Sequence, residues 1–198
     1  MLWVNADSPY KSAKDYLAAI KAGNDNQFKM AGTGSKQEDQ IITAAIEQRT
    51  GVKFTYIPYK GGGPLMTDAV AGHVPLAMGT VFLSKPHIDN KRIRPLAVTS
   101  LKRVPEFPEI PTIAEAGFPG FEAPAWWALL ASSKTPPDIV KRMNEELNKV
   151  LQNPEVSQRL SAQGIEISGG TVDKAKTFID KQIDTWAKVV RDNNIKPD

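Results

Sequence analysis

The chain has 198 residues, of which 41% are hydrophobic and 24% charged, with a formal net charge of +3 and no cysteine. That length and composition suit an ordinary globular protein able to bury a sizeable core. Lacking cysteine, it has no disulfides and no thiolate metal sites, its scattered Lys and Arg make a poor nucleic-acid footprint, and it contains no apolar run of the roughly 18 residues a membrane span needs.

Leu2–Val4 reads as a short strand. The stretch from Met1 to Asp7 has neither a basic region nor a long apolar segment, so it is not expected to be a signal peptide. Ser12-Ala-Lys-Asp15 resembles a capping box, with Leu17 and Ile20 on one helix face and Gly23 as the stop. A strand is expected over 28–31 and a helix over 37–49, where Ile41, Ile42, Ala45 and Ile46 recur at helical spacing before Gly51. Residues 52–57 alternate as a strand should. A helix over 65–71 closed by Gly72, a strand over 74–78, a helix or turn over 81–89 and a strand over 96–99 complete the pattern. Strand and helix in alternation predict an α/β fold with a mostly parallel sheet.

Residues 104–125 differ, because five prolines and two glycines predict irregular chain between two structured halves. Trp126–Ala131 then reads as a buried strand, with its tryptophans facing either the core or a ligand cleft. Three helices follow. Thr135 is expected to cap the first, with Pro136 as its first residue and a stripe of Val140, Met143, Leu147 and Val150. Asn153-Pro154 opens the second, which Gly164 ends. Thr171 opens the third, whose Phe178, Ile179, Ile183, Trp186, Val189 and Val190 form an apolar face expected to lie in the core.

Two glycine turns stand out: Gly32-Thr-Gly-Ser35 and Lys60-Gly-Gly-Gly63, each between a strand and a helix. The first backbone N–H groups of a helix have no partner within it, and the helix dipole adds partial positive charge there. Two such turns on neighbouring strands would converge N–H groups on a carboxylate or phosphate, at the carboxyl ends of the strands where α/β sheets place their crevice. Thr33 and Ser35 offer hydroxyls; Lys60 and Lys36 offer charge. Alternatively the glycines only permit tight turns. The spacing matches neither a P-loop nor a dinucleotide fingerprint. The two histidines, His73 and His87, form no metal-binding motif, and no G-x-S-x-G elbow occurs.

Gly32-Thr-Gly-Ser-Lys-Gln-Glu-Asp39, Thr55-Tyr-Ile-Pro-Tyr-Lys-Gly-Gly-Gly63, Arg94-Pro-Leu-Ala-Val-Thr-Ser100 and Pro111-Thr-Ile-Ala-Glu-Ala-Gly-Phe-Pro-Gly120 follow one another in order. Together with Thr135-Pro136 and the tail Trp186–Arg191 they resemble the substrate-binding proteins of tripartite tricarboxylate transporters, the Bug proteins, over essentially the whole chain. The resemblance implies an α/β fold of the type II periplasmic-binding-protein kind, with residues 1–100 as one complete ligand-binding lobe and 101–198 as a hinge and the C-terminal part of a second, mostly helical lobe. It also implies a periplasmic, non-enzymatic receptor that captures a small organic carboxylate for membrane permease subunits, without cofactor, metal or nucleic acid.

By position, Ala31, Gly32, Gly34 and Ser35 match one binding turn and Tyr59, Lys60, Gly61 and Gly62 a second. Gly79 and Thr80 stand at a third contact, where many relatives carry a polar or acidic residue and an asparagine. The family carries further chain ahead of the position of Leu2, including a signal peptide and part of the opposing lobe. The helices of the second half are therefore expected to lack strands to cover, and the chain to be a truncated form, to dimerise or to rearrange. Two other readings remain: an α/β enzyme acting on a small acidic substrate through the same pocket, and a fragment that binds nothing.

Overall fold

A computed structural model of the chain describes residues 1–22, 28–35 and 38–195. The side chain of Ile20, together with Gly23, Lys36 and Gln37, lies outside the described residues. The described chain forms β1 (Leu2–Asn5), α1 (Ala13–Ala22), β2 (Lys29–Gly32), α2 (Glu38–Thr50), β3 (Thr55–Pro58), α3 (Gly62–Val70), β4 (Ala77–Met78), α4 (Val81–Asp89), β5 (Ile93–Ala97), α5 (Pro137–Gln152), α6 (Pro154–Ser161) and α7 (Val172–Asp192).

The strands make one sheet in the order β3-β2-β4-β1-β5. It is mixed and not mostly parallel: β2 pairs in parallel with β3 and β4, while β1 runs antiparallel to β4 and β5. A strand entering first in the chain and inserting between two later ones can run either way, and periodicity carries no information about direction. Pro95 sits within β5, which is tolerated because β5 is an edge strand and its outer side needs no ladder donor.

The chain divides into two compact units, one of Met1–Pro124 with the residues from Val189 onward, the other Ala125–Lys188. The first holds the core. Trp3, Ala31 and Leu65 have no solvent exposure, and Ala69, Ala77 and Val98 pack with them. Asn5 ties β1 to the end of α3 by donating to the carbonyls of Ala69 and Val70, at 3.0 and 2.9 Å. The proline-rich stretch is irregular as expected, yet it belongs to this core: Phe107, Thr112, Ile113, Phe121 and Ala123 are buried. Its backbone reaches the end of the sheet through Val98 N–H to Pro111 and Ala123 N–H to Thr99.

The second unit departs from expectation. Residues 126–131 form no strand and are not buried; Trp127, Leu129 and Leu130 are 66%, 62% and 72% exposed. A strand requires a neighbour to take its N–H and C=O groups, and none is present among the described residues. Trp126 instead meets Phe178 edge-on at 5.5 Å. The helices form where their local signals place them. Asn153 accepts from the N–H groups of Glu155 and Val156, and Thr171 Oγ1 accepts from Lys174. The start of α5 is shifted by one residue, since Pro136 stands at the cap position with no side-chain bond and Pro137 begins the helix. None of the three helices contains a buried residue, so the apolar face of α7, Trp186 included, is not a core face here.

Candidate functional site

Because β2, β3 and β4 run parallel, their carboxyl ends reach the same side of the sheet, and each leads into a helix there. This brings the three expected turns together. The first two are bonded directly: Gly61 N–H donates to the Thr33 carbonyl at 3.0 Å, and Tyr59 N–H to that of Gly32 at 2.9 Å. The second and third share Leu83. A methyl group built on Gly62 would lie 2.8 Å from Leu83 Cδ1, and one built on Gly79 would lie 3.2 Å from Leu83 Cδ2.

In the first turn, Ala31 is an interior residue of β2 whose N–H bonds Leu76. Gly32 is also a packing position, since a side chain there would strike the Tyr56 hydroxyl and come within 2.7 Å of Asp39 Cβ. The turn's donors are partly used within the protein. Asp39, buried in the first turn of α2, accepts from both Thr33 N–H and Thr33 Oγ1 at 2.7 Å. Tyr56 donates its hydroxyl to the Gly34 carbonyl at 2.8 Å. Burial, followed by the nearby charge of Asp39, pushes this phenol above its ordinary range, so it remains a neutral donor. Ser35 is exposed beyond these contacts.

The second turn is arranged differently. Helix α3 begins at Gly62, three residues before the apolar pattern predicted, because Gly62, Gly63 and Pro64 form its first turn; proline is well suited there, where no intrahelical N–H bond is lost. Gly61 caps the helix with φ 94° and supplies no side-chain bond. No partner is seen among the described residues for the N–H groups of Gly62 and Gly63, and Lys60 is exposed beside them. The preceding residue, Tyr59, donates its hydroxyl to Asp68 at 2.6 Å, one to two turns along α3. Burial and this bond push the Tyr59 hydroxyl up to about 12, and the same bond, followed by that of His73, holds Asp68 below the usual carboxylate range.

The third turn is closed. Gly79 donates its N–H to the Met1 carbonyl at 3.2 Å and accepts from Met1 N at 2.8 Å. The buried Trp3 ring leaves no room for a side chain on it. Thr80 Oγ1 caps α4 by accepting from Leu83 N–H at 3.2 Å. Asp39, Tyr56 and Leu83 thus shape the three turns, although none of them is among the residues expected from the sequence to form the site; an acid soon after a G-T-G turn is the one available signal.

Residues 1–195 match the model of the tripartite tricarboxylate transporter family receptor. The chain belongs to this family. It is 35% identical over 191 residues to the UPF0065 protein in the tcbD-tcbE intergenic region of a Pseudomonas species, covering 96% of this chain and 56% of that protein. It is 35% identical over 169 residues to protein BugT of Bordetella pertussis, covering 85% of this chain and 51% of that protein. Among solved structures, R. palustris Rpa4515 with adipate superposes with a TM-score of 0.87 at 31% identity, over 96% of this chain and 64% of that one. The periplasmic binding protein BugD superposes with a TM-score of 0.84 at 26% identity, over 98% of this chain and 66% of that one. This chain therefore has the α/β fold of the periplasmic binding proteins and spans about half the length of the curated relatives it matches.

Proposed function

We propose that this chain is the ligand-holding part of an extracytoplasmic solute-binding protein, which captures a small organic carboxylate in the periplasm for the permease of a tripartite tricarboxylate-type transporter. The observation that carries this reading is the uncapped start of α3. There the N–H groups of Gly62 and Gly63 have no partner among the described residues, Lys60 stands beside them, and Gly61 is held against the first turn by its bond to Thr33. A carboxylate supplies the acceptors and charge that such a helix start lacks. Adipate in a solved relative at 31% identity supports a carboxylate as the ligand class. Ala31, Gly32, Thr33, Gly34, Ser35, Tyr59, Gly79 and Thr80 complete the proposed site chiefly by shaping it.

Capture without turnover fits the placement of the histidines. His73 follows the far end of α3 and His87 lies in the last turn of α4. His87 is six residues along α4, about 9 Å from its start, and His73 lies past the far end of the nine-residue α3, which is about 13 Å long. No general base reaches a ligand from there.

Isothermal titration calorimetry with a panel of mono- and dicarboxylates tests the reading. Lys60→Ala should weaken binding by about tenfold, as removal of a charged hydrogen-bond donor does. Unchanged affinity in that variant would refute the site. Gly62→Val is a poorer probe, because its side chain must displace Leu83.

A further inference from the structure

Residues 125–131 read Ala-Trp-Trp-Ala-Leu-Leu-Ala, with no charge and no proline. The chain passes through them without a helix, turn or bend, so it is extended there. None of their backbone N–H or C=O groups has a partner among the described residues. Side chains alternate across an extended chain, and both sides are open: Trp126 and Leu130 on one, Trp127 and Leu129 on the other, are all exposed. A continuous apolar run is the mark of a strand covered on both faces and paired along its edges. Natural proteins blunt unpaired strands with charges or prolines, and neither occurs within 125–131. The segment is a ready template for another strand.

We propose that residues 125–131 form an interface with a second copy of this chain, in which the two segments pair as antiparallel strands about a two-fold axis through Ala128. The order of the side chains is what favours a copy of itself. In a two-fold pair centred on Ala128, that residue faces its own mate, Trp127 faces Leu129 of the second copy and Trp126 faces Leu130 of the second copy. Each face of the ribbon then sets indole rings against leucine methyl groups, directly across the strands where side chains meet most closely. No like charges are opposed anywhere along the seam. The pairing takes up backbone groups that the chain leaves bare and covers apolar side chains on both faces. Such an interface uses the same patch on both partners and closes at two chains.

The protein has no cysteine, so a single introduced thiol is the only one present. Opposed residues of an antiparallel pair have Cα atoms about 4.5–5.5 Å apart, within the span of a disulfide. Ala128→Cys in the full chain should therefore cross-link to a covalent dimer under mild oxidation. Ala125→Cys should not cross-link to itself, because the two copies of residue 125 lie about 20 Å apart along the ribbon. Mixed with Ala131→Cys, it should yield the mixed dimer. In sedimentation the mass of the unmutated chain should double with concentration and then level off. The double variant Ala128→Pro, Leu129→Pro removes one N–H from each edge of the segment, where the chain itself uses neither. It should keep the circular dichroism of the folded protein and stay at the mass of one chain. A monomer at every concentration would overturn the self-pairing and leave the segment to a strand of another protein. Cross-linking of Ala125→Cys as fast as that of Ala128→Cys would overturn the register and the axis. A mass that rises without levelling, or a dimer that survives both prolines, would place the association on other faces and overturn the pairing as well.

Discussion

Asp39 shows how one side chain sets the shape of the first turn. Its buried carboxylate accepts two bonds at 2.7 Å from Thr33, one of them from the backbone. Charge-assisted bonds of this kind are short and strong, and removing the acceptor leaves a half-buried N–H without a partner. Asp39→Ala should cost about 2 kcal/mol of unfolding free energy by urea denaturation, whereas the same change at the exposed Glu38 should cost much less. The Tyr59–Asp68 bond offers a second, spectroscopic test. Asp68 has its folded-state pKa lowered chiefly by the Tyr59 hydroxyl. Its contribution to stability is therefore present above the unfolded pKa and lost as pH falls through the folded value. Tyr59→Phe should raise the Asp68 pKa toward the ordinary carboxylate range in an NMR titration and shrink the loss of stability below pH ~4.

At the scale of elements, helix starts differ in what they leave over. Helix α4 spends its first turn on its own cap, through Thr80 Oγ1 to Leu83 N–H. Thr80→Ala should destabilise the protein by about 1 kcal/mol in denaturant unfolding, as loss of an N-cap does. Helix α3 has glycine at its cap and no side-chain bond. Its first turn has no side-chain cap, and it is positioned by the neighbouring strand turn through Gly61 N–H and the Thr33 carbonyl. Helix α4 also carries Pro86, which donates no N–H to the ladder; Asn90 closes this end by donating its side-chain amide to the Pro86 carbonyl at 2.7 Å.

The whole molecule has one unit with a dense core and one without. In the second unit, Leu130, Trp127 and Ile183 are 72%, 66% and 60% exposed, and no residue of α5, α6 or α7 is buried. Apolar faces of this extent are covered in stable proteins, and the family relatives carry a good deal more chain than this one. The chain should self-associate through these faces. Sedimentation at increasing concentration should show a rising mass, and Leu130→Lys combined with Ile183→Lys should lower it. A monomer at every concentration would refute the self-association.

Several helix caps and stops and the glycine turns were legible in the amino-acid sequence, because they depend on chemistry within four or five residues, although the cap of α5 is Pro136 and not Thr135. Asn153, Thr171 and Gly164 act as their types predict, and the order of motifs was enough to recognise the family. Tertiary structure alone decided the antiparallel course of β1, the earlier start of α3, and the exposure of residues 126–131. It also decided which donors in the turns remain available. The Gly79 N–H is taken by the carbonyl of Met1, a residue 78 positions away. Whether an N–H is free depends on every group that folding brings to it, and a local pattern of residues holds no record of those distant partners.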